Sequence, residues 1–155
     1  MSSFIIRDLR QEDRPAWEKL WADYLEFYNS SVSADVTNTT FARLLDANEP
    51  MFCLVAEDEG AHDLIGMVNC VIHRSTWSQQ DYCYLGDLFT AAAARNRGVG
   101  RALIEAVYAR ADELKLARVY WMTHESNETA RRLYDEVAQN LGFIQYRRVQ
   151  PANGG

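Results

Sequence analysis

Cysteine is scarce in this chain, and the little there is has the wrong arrangement for cross-linking. Cys53, Cys70 and Cys83 are odd in number, show no C-x-x-C spacing and lie in apolar, strand-like runs. They read as buried free thiols of a reducing compartment, with neither a disulfide framework nor a metal or redox role. Long apolar runs are missing too, since nothing approaches the roughly 20 residues of a membrane span. The opening stretch, Met1-Ser2-Ser3-Phe4-Ile5-Ile6-Arg7, lacks the basic start and apolar core of a signal peptide, so a cytoplasmic protein is expected. Basic charge is short as well. Sixteen Lys and Arg against 22 Asp and Glu leave a net charge of −6, which argues against a nucleic-acid partner. No repeat, low-complexity block or linker divides the chain. One domain over residues 1–149 with a flexible tail over 150–155 is therefore expected.

What is present is a regular alternation of strand-like and helix-like segments. Phe4–Leu9 reads as a strand, and Glu12–Phe27 as a helix with Trp17, Leu20, Trp21, Tyr24, Leu25 and Tyr28 at helical spacing. Ser30–Val36 reads as a polar loop and Thr39–Asp46 as a short helix. Strands at Met51–Ala56 and Leu64–His73 flank the turn-like Glu57-Asp58-Glu59-Gly60 and predict a hairpin. A fourth strand over Tyr82–Phe89 precedes a helix over Gly98–Leu114, then a strand over Arg118–Met122. A fourth helix over Asn127–Gln139, a C′ glycine at Gly142 and a strand over Phe143–Val149 complete the pattern. A hairpin combined with βαβ crossovers gives an α/β (α+β) fold, a mixed and mostly antiparallel sheet covered by about four helices.

The most informative stretch is Arg95-Asn96-Arg97-Gly98-Val99-Gly100-Arg101, a turn that joins a strand to a helix N-terminus. Unpaired amides and the helix dipole favour an anion there. Gly98 and Gly100 let a phosphate approach the backbone, and the arginines add full charges. Two nucleotide motifs fail. A dinucleotide fingerprint needs glycine at position 103, which is Leu103, and no Gly-Lys-Ser/Thr of a P-loop exists. His124-Glu125-Ser126-Asn127-Glu128 begins like H-E-x-x-H but lacks the second histidine, so no metal is expected.

Arg95-x-x-Gly98-x-Gly100 resembles the pyrophosphate loop of the GNAT (acetyl-CoA-dependent N-acetyltransferase) superfamily. A second motif follows in the right order: the strand Val119–Met122, then Asn127, Ala130, Leu133-Tyr134 and a closing Gly142-Phe143. Cys83-Tyr84-Leu85, Asp87-Leu88-Phe89 and Tyr120–Asn127 are similar to the branch with fungal histone and D-amino-acid acetyltransferases, and also to diamine acetyltransferases. The resemblance implies splayed fourth and fifth strands that admit the pantetheine arm of acetyl-CoA, bonded by the backbone of Leu88, Phe89 and Thr90. It implies that amides of Arg95, Asn96, Arg97, Gly98, Val99, Gly100 and Arg101 take the pyrophosphate. Asn127 would bond the pantetheine or cap its helix. Tyr134 would protonate the leaving thiolate. Family habit also implies a homodimer.

The acceptor amine poses the harder problem. An alkylamine of pKa about 10.4 is only about one part in 10³ neutral at pH 7. Related families often carry Glu where this chain has Gly86. Asp87 is the nearest replacement base, but it points to the opposite face of a regular strand unless a bulge re-aims it. Glu57, His73, His124 and Glu125 are further candidates. The expected activity is direct acetyl transfer to a primary amine of an amino acid, polyamine or protein. The alternatives are a non-catalytic acyl-CoA-binding module and an unrelated phosphate-binding domain.

Overall fold

The computed structural model describes residues 3–151. Met1, Ser2 and the tail residues 152–155 lie outside the described residues. Five strands form, β1 (Phe4–Asp8), β2 (Met51–Asp58), β3 (Leu64–His73), β4 (Tyr82–Thr90) and β5 (Arg118–Tyr120). The helices are α1 (Arg14–Phe27), α2 (Ala34–Leu45), α3 (Val99–Glu113) and α4 (Glu128–Val137). The chain divides into two compact units, Met1–Met122 and Thr123–Gly155.

In the first unit the sheet order is β1-β2-β3-β4-β5. The first four strands pair antiparallel and β4 pairs with β5 in parallel. One sheet face packs on α1 and α2 through Trp17, Leu20, Trp21, Phe41, Leu44, Val55, Met67 and Phe89. Stacked indoles at Trp17 and Trp21, 5.6 Å apart, fill the middle of that layer. The other face meets Val99 and Leu103 of α3, which crowd against Gly66. A Cβ at Gly66 would lie 2.8 Å from a Val99 methyl, so glycine is required there for helix and sheet to close. Cys53, Cys70 and Cys83 are buried free thiols.

Two expected elements differ. The helix α2 starts earlier than the loop reading of Ser30–Val36 allows, because Ser33 is an N-cap whose hydroxyl accepts from the Val36 amide at 3.2 Å. Its first turn, Ala34-Asp35-Val36-Thr37, mixes polar and apolar residues after a polar run, so apolar spacing does not reveal it. The expected strand over Phe143–Val149 does not form, and residues 138–151 carry neither helix nor strand. Leu141, Phe143, Ile144, Tyr146 and Val149 are 69–91% exposed. A strand needs a pairing edge to satisfy its backbone, and alternation alone does not supply one. Gly142 has φ +82° but is not the C′ of α4, which closes at Ala138; its amide bonds the Asn140 side chain at 2.9 Å.

Candidate active site

The strand β4 organises the site. It pairs with β3 over its whole length, but with β5 only at Tyr82↔Arg118, Cys83↔Val119 and Tyr84↔Tyr120. From Leu85 to Thr90 the edge away from β3 has no strand partner among the described residues. The splay expected between the fourth and fifth strands is this loss of pairing, and Leu88, Phe89 and Thr90 lie along it.

The β3–β4 register shifts where Asn69 pairs with Asp87 and Cys70 with Leu85, leaving Gly86 as the extra residue of a bulge. The shift changes which side chains share a face. Tyr82, Tyr84, Asp87 and Phe89 all stand opposite the odd-numbered β3 residues His73, Val71, Asn69 and Met67, on the α1 side. Asp87 is thereby aimed at the aromatic layer. The Tyr24 hydroxyl donates to its carboxylate, and Asn69 Nδ2 donates to Oδ2 at 3.1 Å. Burial pushes the Asp87 carboxyl above its ordinary range, against the lowering effect of those two donors. The same site raises Tyr24 and Tyr28, through burial first and the neighbouring Asp87 charge second.

At the far end of β4 the chain turns through Ala92–Ala94 into the basic loop. Asn96 (φ +65°) and Gly98 (φ +79°) take left-handed conformations that splay the backbone before α3. Gly98 is the N-cap of α3, no side chain caps it, and nothing lies within 4 Å of a Cβ built there. The arginines divide their work. Arg97 pairs with the buried Asp58 at 3.1 Å, and its guanidinium lies 5.8 Å from the Phe4 ring. Arg95 sits over Phe27 and Phe89, 5.9 and 6.0 Å from their centroids. Arg101 lies 4.0 Å from Glu105 on its own helix.

In the second unit, Asn127 caps α4 by accepting from the Ala130 amide at 3.4 Å, and its Nδ2 lies 3.5 Å from Thr123 Oγ1. Tyr134 lies at the end of the second turn of that helix. Of the other base candidates, Glu57 is held by Arg7 and His62 at 2.8 and 3.1 Å. His124 and Glu125 sit in the turn before α4. His73 ends β3, with Nε2 2.6 Å from the Tyr120 hydroxyl. Tyr24 and Asn69, which meet at Asp87, and Tyr120, which meets His73, were not legible as partners of these candidates, because the packing of α1, β3 and β5 makes those contacts without any local pattern. Among the described residues, no group of three or more His, Cys, Asp or Glu is placed to hold a metal, and no helix is long and apolar enough to cross a membrane.

A mixed sheet whose fourth strand runs from a half-buried carboxylate to an uncapped helix N-terminus defines a transferase class, and comparison with known proteins agrees. The Acetyltransferase (GNAT) family model matches residues 6–143, and the chain belongs to that family as a single-domain acetyltransferase. The D-amino-acid N-acetyltransferase HPA3 of Saccharomyces cerevisiae is 37% identical over 93% of this chain and 89% of its own length. Among solved structures, a probable acetyltransferase has a TM-score of 0.83 at 20% identity, covering 96% of this chain and 99% of the other. AAC(6')-Iy in complex with the bisubstrate analog CoA-S-monomethyl-acetylneamine has a TM-score of 0.81 at 17% identity, covering 97% and 100%. The match across both units removes the reading as an unrelated phosphate-binding domain.

Proposed function

We propose that the enzyme transfers an acetyl group from acetyl-CoA directly to the α-amine of a small amino acid. The observation that carries this reading is Asp87, a half-buried carboxylate re-aimed by the Gly86 bulge beside the unpaired edge of β4. An α-amine of pKa about 7.7–8.0 needs far less help to lose its first proton than an alkylamine of pKa about 10.4, so a single carboxylate suffices for that step. The name of the yeast relative supports the same acceptor class over polyamines and protein amines. A non-catalytic module has no use for so costly a carboxylate.

The residues present fit acetyl-CoA: the α3 N-terminus is uncapped, and the space beside Gly98 is open. Bound there, the thioester supplies the acetyl group. The amides of residues 95–101, with Arg95 and Arg101, hold the pyrophosphate. Arg97 acts through the backbone, its side chain being engaged by Asp58. The backbone of Leu88, Phe89 and Thr90 bonds the pantetheine, and Asn127 steadies it while capping α4. Asp87 accepts a proton from the acceptor ammonium and orients its nitrogen, with Tyr24 and Asn69 fixing the carboxylate. The Tyr134 hydroxyl gives its proton to the departing sulfur.

Thiol release from acetyl-CoA over a panel of α-amino acids, diamines and peptides tests the reading. Turnover is expected with small α-amines. Tight acetyl-CoA binding without turnover on any amine would overturn it. Tyr134→Phe is expected to lower kcat about 10²-fold with unchanged acetyl-CoA affinity. We also assign a cytoplasmic homodimer in which a second copy covers the exposed apolar residues of the C-terminal segment. Light scattering of Phe143→Ser/Tyr146→Ser should then read a monomer against a wild-type dimer.

A further inference from the structure

An ammonium nitrogen sheds two protons on its way to an amide. Within the proposed acetyl transfer, on which this inference rests, Asp87 accounts for the first. A second proton acceptor stands on the same sheet face. His73 Nδ1 lies 2.7 Å from the Arg74 carbonyl oxygen, which only accepts. That nitrogen therefore carries a ring proton, and when the ring holds only that one, Nε2 accepts from the Tyr120 hydroxyl at 2.6 Å. The bond reaches over β4, since β3 and β5 are its two neighbours. It ends at Tyr84↔Tyr120, the last pair before the β4–β5 pairing stops. The rings of Tyr84 and Tyr120 are 5.2 Å apart, and His73 and Tyr120 are both half-buried, within reach of a substrate or one water.

We propose that Tyr120 and His73 form a proton relay that takes the second proton from the acceptor nitrogen. The N–H bond breaks with its electron pair kept by nitrogen. The Tyr120 oxygen gains that proton as its own passes to His73 Nε2, which ends as imidazolium. Tyr120 is the catalytic residue of the pair, and His73 is a positioning and proton-storing residue acting through it. The titratable and charged groups around His73 are Arg74 at its strand end with Asp81 at 3.4 Å, Tyr82 and Tyr84 on β4, and Arg118 and Tyr120 on β5. Arg118 covers the Tyr82 ring at 4.3 Å, so a cation borders the relay on its β5 side.

Steady-state kinetics of Tyr120→Phe, His73→Gln and the double variant, over pH 5.5–9, test the relay. Each single variant should lower kcat about 10²-fold. The double variant should lose no more than either single one, because the two act in series. KM for acetyl-CoA should stay within about twofold, and the acidic limb of the kcat profile should lose one ionisation in His73→Gln. Imidazole in the buffer should restore activity to His73→Ala but not to Tyr120→Phe. Wild-type kcat and an unchanged acidic limb in both single variants would overturn the relay. So would a raised acetyl-CoA KM with kcat preserved, the signature of a structural strap. Asp87→Asn in parallel separates the two readings: if it is inert while Tyr120→Phe is not, the first acceptor fails and the relay stands. No wild-type turnover on any amine would sink both.

Discussion

On the α3 side of the sheet, Gly66 meets Val99 and Leu103, and Val68, Cys70, Cys83 and Leu85 share that face, a layer of small and apolar groups with almost no exposure. On the α1 side the same strands present Asn69, His73, Tyr82, Tyr84 and Asp87. Both layers are packed, yet the α3 side holds only the paired thiols Cys70 and Cys83, while the α1 side gathers a carboxylate, an imidazole, an amide and phenols. The difference hinges on one residue. Without Gly86 as the extra member of β4, Tyr82 and Tyr84 would lie on the α3 side, and Asp87 would stand apart from them. In the proposed reading, the bulge separates a face that carries stability from a face that carries chemistry.

Substitutions that act on one face alone sharpen that contrast. Asp87→Asn should have the largest effect, lowering kcat/KM about 10³-fold, or ~4 kcal/mol of transition-state stabilisation, in assays with the α-amine substrate. A loss below about tenfold would place the first base elsewhere. Leu103→Ala, on the fully buried α3 layer, should cost about 2–5 kcal/mol in urea unfolding with the pH–rate profile unmoved. A shifted profile would mean that the faces are coupled.

Stability and activity should then diverge at Asp87 itself. Its folded carboxyl sits above its ordinary value of 3.8, so its contribution to stability is fully present below that pH. The contribution is lost as pH rises through the folded value. Asp87→Asn should therefore melt about 2–4 °C higher than wild type at pH 7, with the gap closing toward pH 4. An equal melting point at both pH values would remove the desolvation argument. Gly86→Ala should be the mildest change. Its Cβ meets Tyr84 at 3.5 Å and Asn69 O at 3.6 Å, both ordinary contacts, so stability should move by no more than about 0.5 kcal/mol.

Much of this was legible in the chain. The bounds of β3, the hairpin, the α3 amphipathy and the uncapped loop follow from local spacing, because each rests on neighbours within one element. The family motifs likewise sit on contiguous stretches. Asp87 was legible as a residue but not as a direction, since a bulge depends on how β4 meets β3. Tyr24, Asn69 and Tyr120 reach the site only through tertiary packing. The strand over Phe143–Val149 failed for the opposite reason: its local pattern is strand-like, and no strand among the described residues pairs with it.

The proposed cofactor cradle is one continuous stretch, residues 95–101, whereas the proposed acceptor side is assembled from α1, β3, β4 and β5. These two halves can therefore vary at different rates in a lineage. A change at Tyr24, His73 or Tyr120 touches one strand or helix and leaves the loop amides where they are. Descendants of such a scaffold can drift between acceptor amines in single steps, while the carrier they draw acetyl groups from stays the same.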